Sequence, residues 1–192
     1  MEYITEISDG IPKIVCQEII EKFENDFIID IHRLARFQQT PNTDSIIGMA
    51  ASLDESVGWE VECAHLHQVL MKNLYEYIDM LQINIFEDKK NVIDEILSGP
   101  KIGRTTFKIQ KIGVNDPCDW HIDYSHEMDR ILNFIIYLNE NESCTEFLNG
   151  RKIKPQFGKI AFFPSTWTYT HRCQPIKQGY KYVLTGFIFC KN

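Results

Sequence analysis

Near Gly103 the spacing of apolar residues changes from about 3.6 to 2, so helices are expected before it and strands after it. Cys16, Ile19, Ile20 and Phe23 share one face of a short amphipathic helix, and Pro12 suits its start. A second helical run from about Val57 carries Val61, Leu66, Leu70, Leu74, Tyr77, Ile78 and Leu81. A third, over 91–97, stops at Ser98-Gly99-Pro100. Between the first two, residues 38–58 hold Thr40-Pro41-Asn42-Thr43-Asp44 and little periodic apolar content. They read as a long loop, a segment type that often serves as a lid.

Beyond Gly103 the pattern resolves into eight short strands, over 105–112, 120–123, 131–138, 145–148, 152–155, 159–163, 168–172 and 180–190. Eight such strands predict a jelly roll (a double-stranded β-helix), whose two sheets close over one another and leave a mouth for a metal or ligand. The expected class is α+β, mainly β, with the amino-terminal helices packed on one sheet. One domain is expected over 1–192, with 1–103 as helical support and 104–192 as the β core. A chain of 192 residues buries enough surface to fold without disulfide or metal staples.

The net charge of -7 argues against a phosphate-backbone partner, which calls for a basic surface. Six cysteines without a CxxC pair argue against a zinc ribbon or a disulfide scaffold. The first residues lack the basic-then-apolar pattern of a secretory signal, and no apolar run is long enough to cross a bilayer, so a cytoplasmic location with no membrane partner is the expectation.

Chemistry enters with Trp120-His121-Ile122-Asp123. In a strand His121 and Asp123 would point to one face, where both can ligate one metal. His171, 48 residues beyond Asp123 in another predicted strand, can complete two histidines and one carboxylate, a set that leaves coordination positions open on non-haem Fe(II). A lone His-x-Asp pair is weak, because short motifs recur by chance. The context strengthens it: Arg130 leading into ILNFIIYLN, Thr145-Glu146-Phe147, the strand from Gly158 to Pro164, and His171 followed by Pro175, Gly179 and Lys181.

With these elements the sequence over 105–189 resembles the 2-oxoglutarate/Fe(II) dioxygenases, and most of all their prolyl 4-hydroxylase branch. The resemblance implies a hydroxylase with His121, Asp123 and His171 as metal ligands. Its cofactors would be Fe(II), 2-oxoglutarate and O2, with ascorbate as a candidate, and its substrate a prolyl residue in a protein or peptide. It further implies that Lys181 binds the distal carboxylate of 2-oxoglutarate and that Tyr137 and Thr185 hydrogen-bond this cosubstrate. The family often carries Tyr where this sequence has Ile112, a departure within the cosubstrate pocket. Asp123 favours hydroxylation over halogenation, because halogenating relatives have a non-ligand residue there.

Other readings stand beside this one: a hydroxylase of a free amino acid or other small molecule, a non-catalytic metal- or ligand-binding jelly roll, and a zinc hydrolase using the same triad. Lys181 has no evident task in the last. His65 and His67, two apart on a helix, do not face one another. His126 would be a ligand only if its turn folds back, and His32 has no metal-type neighbour. Trp120 and Trp167 read as pocket walls, and Arg130 as either a solvated side chain or a cation at the site opening.

Overall fold

The computed structural model describes residues 3–29, 35–36, 49–85, 102–114, 116, 119–124 and 129–190. Its elements run β1 Thr5–Ile7, α1 Lys13–Ile29, β2 Ala35–Arg36, β3 Met49–Ser52, α2 Glu60–Ile85, β4 Ile102–Arg104, β5 Lys108–Ile112 and β6 Arg130–Tyr137. They continue as β7 Thr145–Phe147, β8 Lys152–Ile153, β9 Ile160–Pro164, β10 His171–Cys173 and β11 Lys181–Cys190. The expected third helix, His32 and His126 all lie outside the described residues.

Helix α1 forms where the sequence places it. Pro12 needs no amide partner, and its carbonyl accepts the Val15 and Cys16 amides at 3.0 and 3.2 Å, which opens the first turn. Cys16, Ile19 and Phe23 are buried, as are Cys63, Leu66, Leu70, Leu74, Tyr77 and Ile78 of α2, so each helix covers a hydrophobic core with one face. The indole of Trp59, just before α2, donates to the carboxylate of Asp26 in α1 at 2.9 Å and ties the two helices together.

The strands form two antiparallel sheets. The larger runs β1-β9-β6-β11-β5-β3-β2, with β4 also paired to β11; the smaller runs β10-β7-β8. Alternation divides the large sheet between two cores. Phe134, Ile136, Ile160, Phe162, Leu184 and Ile188 face the helices. Ile135, Tyr137, Ala161, Phe163 and Val183 face the small sheet with Phe147 and Ile153. This is a jelly-roll arrangement with helices on one sheet, as expected.

Several boundaries depart from the sequence reading. Part of the expected 38–58 loop is β3, whose Ala50 and Ala51 pair with Gln110 and Ile109. Small and hydroxyl side chains give no apolar alternation there, so only the partner strand reveals the pairing. Strands β1 and β4 also lie outside the eight that were expected. At 120–123 there is no strand but a single bridge, His121 to His171. Just after β5 the Asp116 carboxylate accepts the Gly113 amide at 2.6 Å, a local turn bond in place of a ladder bond. The expected strand over 168–172 is a 3-10 turn, Trp167–Tyr169, before β10 begins. Here Thr166 and Thr168 bond to one another and Thr170 caps the Trp167 carbonyl at 2.8 Å, so local hydroxyl bonds compete with the ladder.

Candidate metal centre

Two ligand candidates are locked together through their backbones. The His121 amide donates to the His171 carbonyl at 3.0 Å and the His171 amide returns the bond at 3.1 Å, which sets the imidazoles 4.4 Å apart, centroid to centroid. One such bridge does the positioning that the sequence reading assigned to a whole strand. Asp123 follows on the same side, with Oδ1 3.9 Å from His121 Nε2 and Oδ2 3.4 Å from His171 Nε2. One ligand atom from each of the three residues lies within 4.8 Å of the others, and this is the group among the described residues suited to hold a metal ion.

The tautomers fit the same task. His121 Nδ1–H donates to the Asp119 carbonyl and His171 Nδ1–H to the Tyr169 carbonyl, both at 3.0 Å. Each ring therefore turns an Nε2 lone pair toward the carboxylate, the outer-shell arrangement usual for metal-binding histidines. His171 is only 5% exposed, and burial lowers its pKa to about 4 against the opposing pull of Asp123. It is neutral at pH 7, as ligation requires. The donor set fits Fe(II): imidazole and carboxylate are suitable ligands, and two of the former with one of the latter leave further positions open.

The depressed pKa of His171 makes a prediction for the metal-free protein. The unfolded chain binds this proton below about 6.5 and the folded chain only near 4, so stability is lost as pH falls through that window. The contribution has a limiting slope of about 1.4 kcal/mol per pH unit. Urea midpoints at pH 7 and pH 5 should diverge by more for the native sequence than for His171→Gln; an equal drop in both would show that this imidazole is not the cause.

Lys181 sits on the same side of the large sheet, 2% exposed. Its Nζ donates to the Ser143 carbonyl at 3.0 Å and to Cys173 Sγ at 3.4 Å, and lies 5.5 Å from the centre of the Tyr137 ring. Tyr137 is fully buried, burial raises its pKa, and its hydroxyl donates to Thr145 Oγ1 at 2.7 Å. Thr185 is half-buried on the same face, between Ile135 and Lys108 of the neighbouring strands. Ile112, where Tyr is common in the family that the sequence resembles, lies directly across from Lys181.

Arg130 belongs to the site and is not a solvated side chain. Its Nη1 donates to the Asp123 carbonyl at 3.1 Å, its guanidinium stacks on Phe187 at 3.9 Å, and burial lowers its pKa. Trp120 is on the outer surface, stacked under Arg172, whose guanidinium bonds Glu146. Trp167 is 74% exposed. His65 and His67 are exposed on α2 and are not part of the triad, and His67 Nδ1 accepts from Arg104.

Sequence reasoning passed over Lys108, Asn133, Ser143, Thr145, Ser165 and Cys173. Strand parity could have found Asn133, since it alternates with Ile135 and Tyr137, and Lys108, since it alternates with Ile112. Burial holds the pKa of Lys108 down to about 8, with the charge of Asp123 opposing that shift.

Residues 107–189 match the 2OG-Fe(II) oxygenase superfamily. No curated protein matches the sequence. Solved structures share the fold at low identity. A viral collagen prolyl hydroxylase from Paramecium Bursaria Chlorella virus-1, in a 2OG complex, is 16% identical with a TM-score of 0.63, over 100% of this chain and 97% of that one. A prolyl hydroxylase from Trichoplax adhaerens, in complex with a hypoxia inducible factor peptide fragment, is 18% identical with a TM-score of 0.64, over 99% and 84%. A Pseudomonas putida prolyl-4-hydroxylase is 12% identical with a TM-score of 0.63, over 100% and 95%.

Proposed function

We propose that this chain, whose residues 107–189 carry the core of the 2OG-Fe(II) oxygenase superfamily, hydroxylates a prolyl residue in a protein or peptide, converting 2-oxoglutarate and O2 to succinate and CO2. The observation that carries the reading is the convergence of His121, Asp123 and His171 on the sheet face that also buries the ammonium of Lys181. Fe(II), once held by the triad, supplies together with 2-oxoglutarate and O2 the oxidation of a substrate C–H bond.

The protein's own part is binding, orientation and exclusion of water. His121 and His171 present their Nε2 atoms, and Asp123 supplies a carboxylate oxygen. Lys181 leaves the Ser143 carbonyl to meet the distal carboxylate of 2-oxoglutarate, a group that needs a charged partner once buried. Tyr137, held through Thr145, and Thr185 share the sheet face of Lys181 and would contact the same cosubstrate. Ile112 makes the wall opposite Lys181 apolar where a phenol would offer a further hydrogen bond. The prolyl substrate draws on the likeness to prolyl hydroxylases, one of them bound to a peptide.

A second reading, hydroxylation of a free amino acid, is favoured by Lys108. It shares a strand face with Ile112 and feels the charge of Asp123, so a second cation stands near the triad. The deciding experiment supplies Fe(II), 2-oxoglutarate and O2 with either proline-containing peptides or free amino acids, and measures succinate and product mass. A gain of one oxygen atom on a peptidyl proline supports the first reading; turnover with free amino acids alone replaces it with the second. No turnover and no uncoupled O2 uptake would leave a binding module and end both.

A further inference from the structure

Behind Asp123 stands a buried polar relay that ligation alone does not call for. Asn133 on β6 is 3% exposed and its strand neighbours across the sheet are Phe163 and Phe187, so its amide sits between aromatic residues. A polar side chain in such surroundings is costly unless both ends are satisfied. Both are: Nδ2 donates to Asp123 Oδ2 at 2.8 Å, and Oδ1 accepts from Ser165 Oγ at 2.8 Å. The direction is fixed by chemistry, because an ionised carboxylate only accepts. The NH2 end must face Asp123, which leaves the carbonyl end for the Ser165 hydroxyl. Ser165 is 1% exposed and is itself held at its backbone, its amide donating to the Ile131 carbonyl at 3.1 Å.

We propose that Asn133 is a positioning residue that sets the plane of the Asp123 carboxylate and reserves Oδ1 for the metal, with Ser165 fixing the amide. Arg130 holds the Asp123 backbone as well, donating to the Asp123 carbonyl at 3.1 Å. Asp123 is thus clamped at main chain and side chain by two partners from one strand, β6. With Oδ2 engaged by an N–H, the carboxylate is discouraged from spending both oxygens on one ion, and the open positions that the oxygenase reading needs are kept. The inference rests on that reading only for the presence of a metal.

The test is metal binding by the full chain, with Co(II) as an anaerobic stand-in for Fe(II), measured by titration and by its visible spectrum. Asn133→Leu should weaken Co(II) binding about 10- to 100-fold, the range typical of outer-shell losses, and alter the spectrum. Ser165→Ala, which keeps the amide but frees it to turn, should show a smaller loss of the same kind. It also keeps the test decisive if Asn133→Leu folds poorly. Circular dichroism and the urea midpoint separate loss of fold from loss of orientation. Native affinity and an unchanged spectrum in folded Ser165→Ala and Asn133→Leu would overturn the inference while leaving the oxygenase reading intact. Failure of the native chain to bind Co(II) would overturn both. Metal bound as proposed without any 2-oxoglutarate turnover would sink the oxygenase reading alone.

Discussion

Asp123→Ala is expected to lower 2-oxoglutarate-dependent succinate formation by about 1,000-fold or more. A bound metal contributes several kcal/mol of catalysis and each factor of ten is about 1.4 kcal/mol, so loss of its one anionic ligand removes most of the rate. The same change should also lower stability measurably, though not through His171. His171 is neutral beside Asp123 because burial outweighs the carboxylate's pull, so removing the carboxylate strands no buried cation there. The loss is the Asn133 hydrogen bond, whose buried donor is left unsatisfied at about 1–3 kcal/mol, together with the carboxylate charge that favours the cations of Arg130 and Lys108. Succinate assays, metal content after desalting and a urea midpoint measure the three quantities. Near-native turnover by a metal-loaded Asp123→Ala protein would remove this carboxylate from the centre.

Lys181→Met should raise the KM for 2-oxoglutarate by about 100-fold or more, since truncating one partner of a buried, hydrogen-bonded charge pair costs about 2–5 kcal/mol or more. Stability should move the other way or not at all. Without cosubstrate the Lys181 ammonium is buried against a carbonyl, a thiol and an aromatic ring, and an apolar side chain of similar volume is often neutral or better at such a site. A 2-oxoglutarate titration beside a denaturation curve separates the two effects. An unchanged KM would show that the dicarboxylate is anchored elsewhere.

The legible parts of this protein were those with a strong local signature. The amphipathic faces of α1 and α2, the long apolar strands β6 and β11, and the His-x-Asp with its distant His all announce themselves through spacing. What escaped depends on partners remote in sequence. Strand β3 is strand only because β5 lies beside it. The backbone exchange between His121 and His171 joins segments 50 residues apart and leaves no trace in either. Asn133 and Ser165 look like ordinary polar residues at a strand centre and after a strand, and only their mutual distance and the nearby Asp123 give them a task. The fate of Arg130 was open for the same reason: its stacking on Phe187 is a tertiary event.

Strand β11 runs through a sheet with an interior on each side, and its residues divide between the two. Leu184 and Ile188 press on the helices, and Gly186 lies so near Phe134 that any Cβ would stand 2.4 Å from the ring. Lys181, Val183 and Thr185 look the other way. Substitutions at Leu184, Gly186 and Ile188 should therefore register first as loss of folded protein, and those at Lys181 and Thr185 first as altered chemistry beside the triad. Val183 belongs to both accounts, since it packs in the second core between Lys181 and Thr185.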